Sequence, residues 1–116
     1  MAKEIDSLML EAEGLVKSMS CKEYLAMKDD TAHVLIDVRE QDEWDDGHMN
    51  GAIHIPRGFL EFKIEELVPD KNAVIVLYCA HGPRSVLCGR SLQKMGYTHI
   101  SYIEDGYIAC MEGIHE

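Results

Sequence analysis

At 116 residues, with 47% hydrophobic and 28% charged residues, the chain is sized for one soluble domain with a single core, and general disorder is excluded. A net charge of −10 argues against nucleic acid, whose phosphates require a basic face. The longest apolar run, Ala73 to Ala80, is too short to cross a bilayer, and Met1-Ala2-Lys3-Glu4-Ile5-Asp6 lacks the features of a signal peptide, so a cytoplasmic protein is expected.

Ile5, Leu8, Met9 and Ala12 predict a first amphipathic helical stretch ending at Gly14, and Leu15 to Met19 fits a short strand. Ser20-Cys21-Lys22-Glu23 has the form of a capping box, with Met19 and Tyr24 placed as a hydrophobic staple, so a helix is expected from Cys21 to about Lys28. His33 to Val38 reads as a buried strand, Glu40 to Asp46 as a short acidic helix closed by Gly47, and Ile53-His54-Ile55 as a brief strand ended by Pro56. Phe59 to Leu67 predicts a helix with Phe59, Phe62, Ile64 and Leu67 largely buried. A strand at 74–78, a helix from Val86 to Met95 stopped by Gly96, a strand at 99–103 and a helix from Gly106 to about Glu112 complete the chain. Strands separated by helices imply parallel pairing with right-handed crossovers, hence one α/β domain.

The richest stretch is Cys79-Ala80-His81-Gly82-Pro83-Arg84-Ser85, a tight loop between a strand and a helix. Open α/β sheets bind ligands at the C-terminal tips of strands, and a helix N-terminus there stabilises negative charge. A thiolate is a negative charge, so Cys79 is expected to be a nucleophile near neutral pH. From Lys71 to Ile103 no Asp or Glu occurs, while Lys71, Arg84, Arg90 and Lys94 fall inside that window. The window carries +4 and the remainder −14, which together make the net −10. A locally positive site suited to a small anionic substrate is expected.

The other cysteines, Cys21, Cys88 and Cys110, are widely spaced and form no Cys-x-x-Cys pair. Disulfides are not expected in a cytosolic chain of this size, and zinc-ligand spacing is absent. Cys88, at helical spacing with Leu92 and Met95, reads as core packing, while Cys21 opens a helix and is open to reaction for the same dipolar reason as Cys79. His48 and His54 read as structural, His81 as a solvent-facing loop residue, and Trp44 as one anchored ring on a solvated helix face.

The motifs resemble the rhodanese domain family of sulfurtransferases. Leu35-Ile36-Asp37-Val38-Arg39 resembles the family's strand ending in Asp-x-Arg, and Glu43 matches the acidic position that follows. Gly47 to Pro56 resembles the second signature, the Cys79–Ser85 loop resembles Cys-x-x-Gly-x-Arg-Ser, and Asp105 to Cys110 resembles a closing Gly-Gly-x-x-Ala-Trp. Asp105 departs from the first glycine of that closing motif, and Cys110 from its tryptophan.

The resemblance implies an α/β rhodanese-like fold, with a central parallel sheet of about five strands and helices on both faces. Residues 15–116 form the domain and 1–14 a helical extension. It also implies a single-domain sulfurtransferase that moves a sulfane sulfur from thiosulfate or a persulfide to a nucleophilic acceptor through a Cys79 persulfide. Cys79 is then catalytic. Ala80, His81, Gly82, Arg84 and Ser85 bind substrate, with Arg84 orienting the anionic donor, and Asp37 and Arg39 support the site. No metal or organic cofactor is required. The partners are a small anionic sulfur donor and a thiol or cyanide acceptor, with an acceptor protein as a further option and neither nucleic acid nor membrane. Two alternatives stand beside this reading: a sulfur-relay or protein-binding module with little small-molecule turnover, and a small phosphatase or arsenate reductase. Loop length disfavours the latter pair, because Cys79 to Arg84 is Cys-x4-Arg and theirs is Cys-x5-Arg. The smaller ring of amides fits one outer sulfur, where the larger fits a tetrahedral oxyanion.

Overall fold

The computed structural model describes residues 4–114; the first three residues of the acidic N-terminal stretch lie outside the described part. Helix α1 spans Glu4–Leu15, strand β1 Lys17–Met19, α2 Cys21–Met27, β2 Val34–Asp37, α3 Gln41–Asp45 and β3 Ile53–His54. A 3-10 turn over Arg57–Phe59 leads into α4, Leu60–Leu67, followed by β4 Val74–Tyr78, α5 Pro83–Lys94, β5 His99–Ile103 and α6 Gly106–Ile114. The five strands form one parallel sheet in the order β1-β5-β4-β2-β3. No helix among the described residues is long and apolar enough to cross a membrane.

The alternation of each strand divides the core in two. Ile36, Ile75, Leu77, Ile100 and Tyr102 face one side, where Ala12 of α1, Leu60 and Ile64 of α4, and Val86, Cys88 and Leu92 of α5 cover them. Leu35, Val76, Tyr78 and Ile103 face the other, beneath Cys21 and Tyr24 of α2, Met49, and Cys110 of α6. Helices therefore lie on both faces, as parallel strands require. Because β4 is central, the residue after Tyr78 emerges mid-sheet, at the same end as Val38 and Glu104, where neighbouring strands also finish.

Local chemistry sets the helix starts. Ser20 Oγ accepts the Glu23 amide at 3.0 Å and Glu23 Oε1 accepts the Ser20 amide at 2.9 Å, closing the expected capping box at α2. Pro83 occupies the first turn of α5, where its missing N–H costs no hydrogen bond. That helix begins three residues earlier than its apolar periodicity suggested, so the loop after Cys79 is shorter than the sequence implied.

Two further expectations are corrected. In the 59–67 segment, Leu60 and Ile64 are buried, whereas Phe59, Phe62 and Leu67 are 56%, 84% and 52% exposed. The 3-10 turn rotates the helix onto the i, i+4 pair Leu60 and Ile64, leaving both phenylalanines outside. The second correction concerns cysteines: Cys21 and Cys110 are joined in a disulfide, with Cα atoms 5.3 Å apart across 89 residues of sequence. Spacing along the chain carries no trace of this pair, because the β1–β5 pairing brings α2 and α6 together only in the finished sheet. Cys79 and Cys88 are the free cysteines.

Candidate active site

Cys79 follows the last residue of the central strand and is 1% exposed. Its Sγ accepts the Gly82 amide at 3.0 Å and lies 3.7 Å from Ser85 Oγ, to which its thiol hydrogen points. The Ser85 hydroxyl in turn donates to the Gly82 carbonyl at 2.8 Å, so loop and first helical turn close on the sulfur. Gly82 has φ +112, and a Cβ there would stand 2.5 Å from the Glu104 carbonyl oxygen, so only glycine lets the loop lie this close to the end of β5. Ala80 is half-buried and His81 exposed. The structure thus brings Cys79, Gly82 and Ser85 into direct contact and leaves the His81 side chain at the rim.

Arg84 faces two partners, the Glu43 carboxylate and the Cys79 sulfur. Its guanidinium makes two hydrogen bonds to the Glu43 carboxylate, at 2.7 and 3.1 Å. Glu43 Oε1 also accepts the Glu40 amide at 3.0 Å, so one carboxylate caps α3 and anchors Arg84. The Arg84 hydrogen bonds hold the Glu43 carboxyl at about 2, against burial, which pushes the other way. A carboxyl lowered on folding stabilises the fold above its unfolded value and loses that contribution as pH falls toward the folded one. Because both side chains are 30% exposed, solvent screening limits this term to about 1 kcal/mol. Glu43→Gln is therefore expected to cost about 1 kcal/mol at pH 7, a cost that fades as pH falls through about 2, measured by urea unfolding across pH.

The remaining cations of the carboxylate-free window are paired as well. Lys71 meets Glu65, and Arg90 and Lys94 meet Glu11 of α1. A cleft of about 160 Å³ beside the loop is lined by His81, Gly82 and Pro83 but also by Glu13 and Glu104. The positive patch expected from the window is thus compensated by carboxylates that other segments of the chain deliver to it.

Asp37 and Arg39, both buried, lie at the end of β2 beside the loop. Arg39 donates to Asp37 through Nε and Nη2 at 2.8–3.1 Å and to the Gly47 carbonyl at 2.7 Å. Its guanidinium also stands 4.0 Å over the Tyr107 ring. The pair ties the ends of β2, the α3–β3 segment and α6 into one rim. Beside it, the Trp44 ring stacks on His48 at 3.5 Å and on His54 at 4.8 Å, and His54 Nε2 bonds the Arg39 carbonyl at 2.8 Å.

Sequence reasoning missed Tyr107, whose amide donates to the Cys79 carbonyl at 2.8 Å, and Glu43 as the partner of Arg84. Glu43 was marked by its place four residues after Arg39; nothing local marked Tyr107. Cys88 lies in the core, and burial raises its thiol to about 12, so it stays protonated and unreactive. Cys88→Ala is expected to cost about 1–2 kcal/mol of stability with the reactivity of Cys79 intact, read by urea unfolding and by alkylation.

The family model for the rhodanese-like domain matches residues 20–111. The chain belongs to the rhodanese-like domain family. It is 40% identical over 65 residues to the thiosulfate sulfurtransferase PspE of Escherichia coli, covering 56% of this chain and 62% of that one. Over 72 residues it is 33% identical to the putative sulfur carrier protein YrkF of Bacillus subtilis, covering 62% of this chain and 38% of the relative. The rhodanese-like chain thus spans less than two thirds of these curated relatives. Among solved structures, a protein of unknown function from Rhodopseudomonas palustris, described as a possible tyrosine phosphatase, superposes with TM-score 0.88 at 26% identity over 97% of this chain and 92% of that one. The thiosulfate sulfurtransferase of Pseudomonas aeruginosa gives TM-score 0.80 at 27% identity over 94% of this chain and 21% of that one.

Proposed function

We propose that this rhodanese-like domain is a sulfurtransferase that carries a sulfane sulfur on Cys79. The observation that carries the reading is the Cys79 loop itself, a buried sulfur at the tip of the central strand, receiving the Gly82 amide inside a Cys-x4-Arg loop that closes straight into α5. The Cys79 thiolate attacks the sulfane sulfur of thiosulfate, forming a new S–S bond while sulfite leaves with the electron pair of the bond that breaks. The outer sulfur of the persulfide is anionic, and loop amides with the N-terminus of α5 stabilise it there. A thiol or cyanide then attacks the outer sulfur and Cys79 leaves as thiolate, completing a ping-pong cycle. Similarity to the E. coli and P. aeruginosa thiosulfate sulfurtransferases supports this choice of donor.

Asp37 and Arg39 hold the rim, and Arg84, bound to Glu43, acts as a positioning residue that fixes the first turn of α5. Arg84→Ala is accordingly expected to slow transfer from thiosulfate and from a neutral alkyl persulfide to a similar degree. A loss confined to thiosulfate would show instead that Arg84 contacts the anionic donor.

A second reading, a relay that receives sulfur from one protein and passes it to another, is favoured by one observation: the cations around the loop are already paired, which weakens recruitment of a free anion. Steady-state kinetics with thiosulfate and cyanide, beside hydrolysis of an aryl phosphate, separate the cases. Saturable thiocyanate formation with no phosphate release is the result expected of the enzyme. Phosphate release without thiocyanate contradicts it, and stoichiometric sulfur uptake with negligible turnover assigns the relay.

A further inference from the structure

The two positions that depart from the closing motif converge on one residue. Asp105 Oδ1 accepts the Cys21 backbone amide at 2.8 Å, and the Cys110 sulfur is bonded to the Cys21 sulfur. Both ends of the first turn and a half of α6 are therefore fastened to the N-terminus of α2. That same stretch of α6 holds the Cys79 loop from behind. The Tyr107 amide donates to the Cys79 carbonyl at 2.8 Å and the Ile108 amide to the Ala80 carbonyl at 3.4 Å.

A trans peptide sets its N–H opposite the preceding carbonyl. There are no cis peptide bonds among the described residues, so pulling the Cys79 and Ala80 carbonyls toward α6 aims the Ala80 and His81 amides away from α6. Gly106 makes this approach possible, since a Cβ there would collide with the Ala80 carbonyl. The orientation of two loop amides is thus set by α6, and the position of α6 by Cys21. Among the helices, α2 is the one α6 packs against most closely, and the Tyr107 ring beneath Arg39 anchors the same turn to the rim.

We propose that the Cys21–Cys110 disulfide is a redox-controlled tether that positions the Cys79 loop through α6: closed, it holds the loop in its sulfur-transferring form, and reduced, it releases it. The proposal rests on Cys79 being the sulfur-accepting nucleophile. The chemistry is ordinary thiol–disulfide exchange. One thiolate of a dithiol reductant attacks either sulfur, the S–S bond breaks, and the other cysteine leaves as thiolate and takes a proton. The reductant's second thiol then displaces the first cysteine, leaving two protein thiols and the oxidised cyclic disulfide of the reductant. Two electrons and two protons move from dithiol to protein. Reoxidation by a low-molecular-weight disulfide reverses the exchange.

The test compares oxidised wild type with wild type reduced anaerobically by a dithiol and then desalted, with two additional thiols confirmed by titration. Single-turnover sulfur uptake from thiosulfate and the pH profile of Cys79 alkylation by iodoacetamide, mapped by mass, are both read. Misaimed loop amides are expected to slow uptake on the order of tenfold. Alkylation of Cys79 is expected to slow as well, and both changes should reverse on reoxidation. A Cys21→Ser/Cys110→Ser variant should match the reduced form with or without dithiol. Where that variant fails to fold, the two wild-type forms carry the comparison alone. Uptake rates within about twofold and superimposable alkylation profiles overturn the proposal, as does a disulfide that resists the dithiol in the folded protein. An alkylation difference in a protein that takes no sulfur from thiosulfate upholds the tether and removes the donor assigned above.

Discussion

Cys79→Ser is expected to abolish sulfur transfer while leaving the fold unchanged. The side chain keeps its shape to within one atom and remains in a pocket that supplies the Gly82 amide and the Ser85 hydroxyl, so packing loses little. Its chemistry is lost outright, because a hydroxyl is scarcely ionised at neutral pH and forms no bond to sulfur equivalent to a persulfide. Thiosulfate turnover should fall to the uncatalysed level, with the thermal midpoint within a few degrees of wild type. Turnover within a few-fold of wild type would remove Cys79 from the mechanism. A variant that is inactive because it is unfolded would show itself in the same melting curve.

Gly106→Ala is expected to be nearly as damaging without touching the nucleophile. Gly106 has φ +76, and the added methyl would meet the Ala80 carbonyl and the His81 Cα, both backbone atoms of the Cys79 loop. Backbone cannot step aside as a flexible side chain does, so the contact between α6 and the loop must open. Gly96 supplies the control, since it also has positive φ, at +100, but open space where its Cβ would stand. Gly96→Ala therefore pays only the conformational strain of about 1 kcal/mol. For Gly106→Ala we expect a loss of roughly 2–4 kcal/mol in urea unfolding and a fall in transfer of an order of magnitude or more in the protein that remains folded. Equal effects of the two substitutions would mean that the approach of α6 to the loop is incidental.

Much of this was legible in the chain. The apolar runs from Val34 and from Val74 and the capping box at Ser20 and Glu23 are local signals, and each of those elements formed where its signal stood, whereas α5 begins at Pro83, three residues ahead of its apolar periodicity. Cys79 was legible because a strand, a cysteine, a glycine and a helix start lie within a dozen residues. What escaped are relations between distant segments. The charge window around Cys79 reads as positive only while its neighbours in space are unknown; Glu11, Glu43 and Glu65 all come from outside it. Cys21 and Cys110 carry no mutual signal at a separation of 89 residues. The burial of α4 failed for a different reason. Phe59 and Phe62 are apolar enough to claim the core, but the 3-10 turn at Arg57–Phe59 sets the helix phase, and Leu60 and Ile64 take it instead.

Whether Cys79 carries sulfur is read by intact-protein and peptide mass spectrometry after incubation with thiosulfate and removal of excess donor. A gain of one sulfur atom is expected, located on the peptide containing Cys79 and discharged by cyanide with return to the starting mass. No gain in mass, or a gain located on Cys88 with Cys79 unmodified, would contradict that assignment.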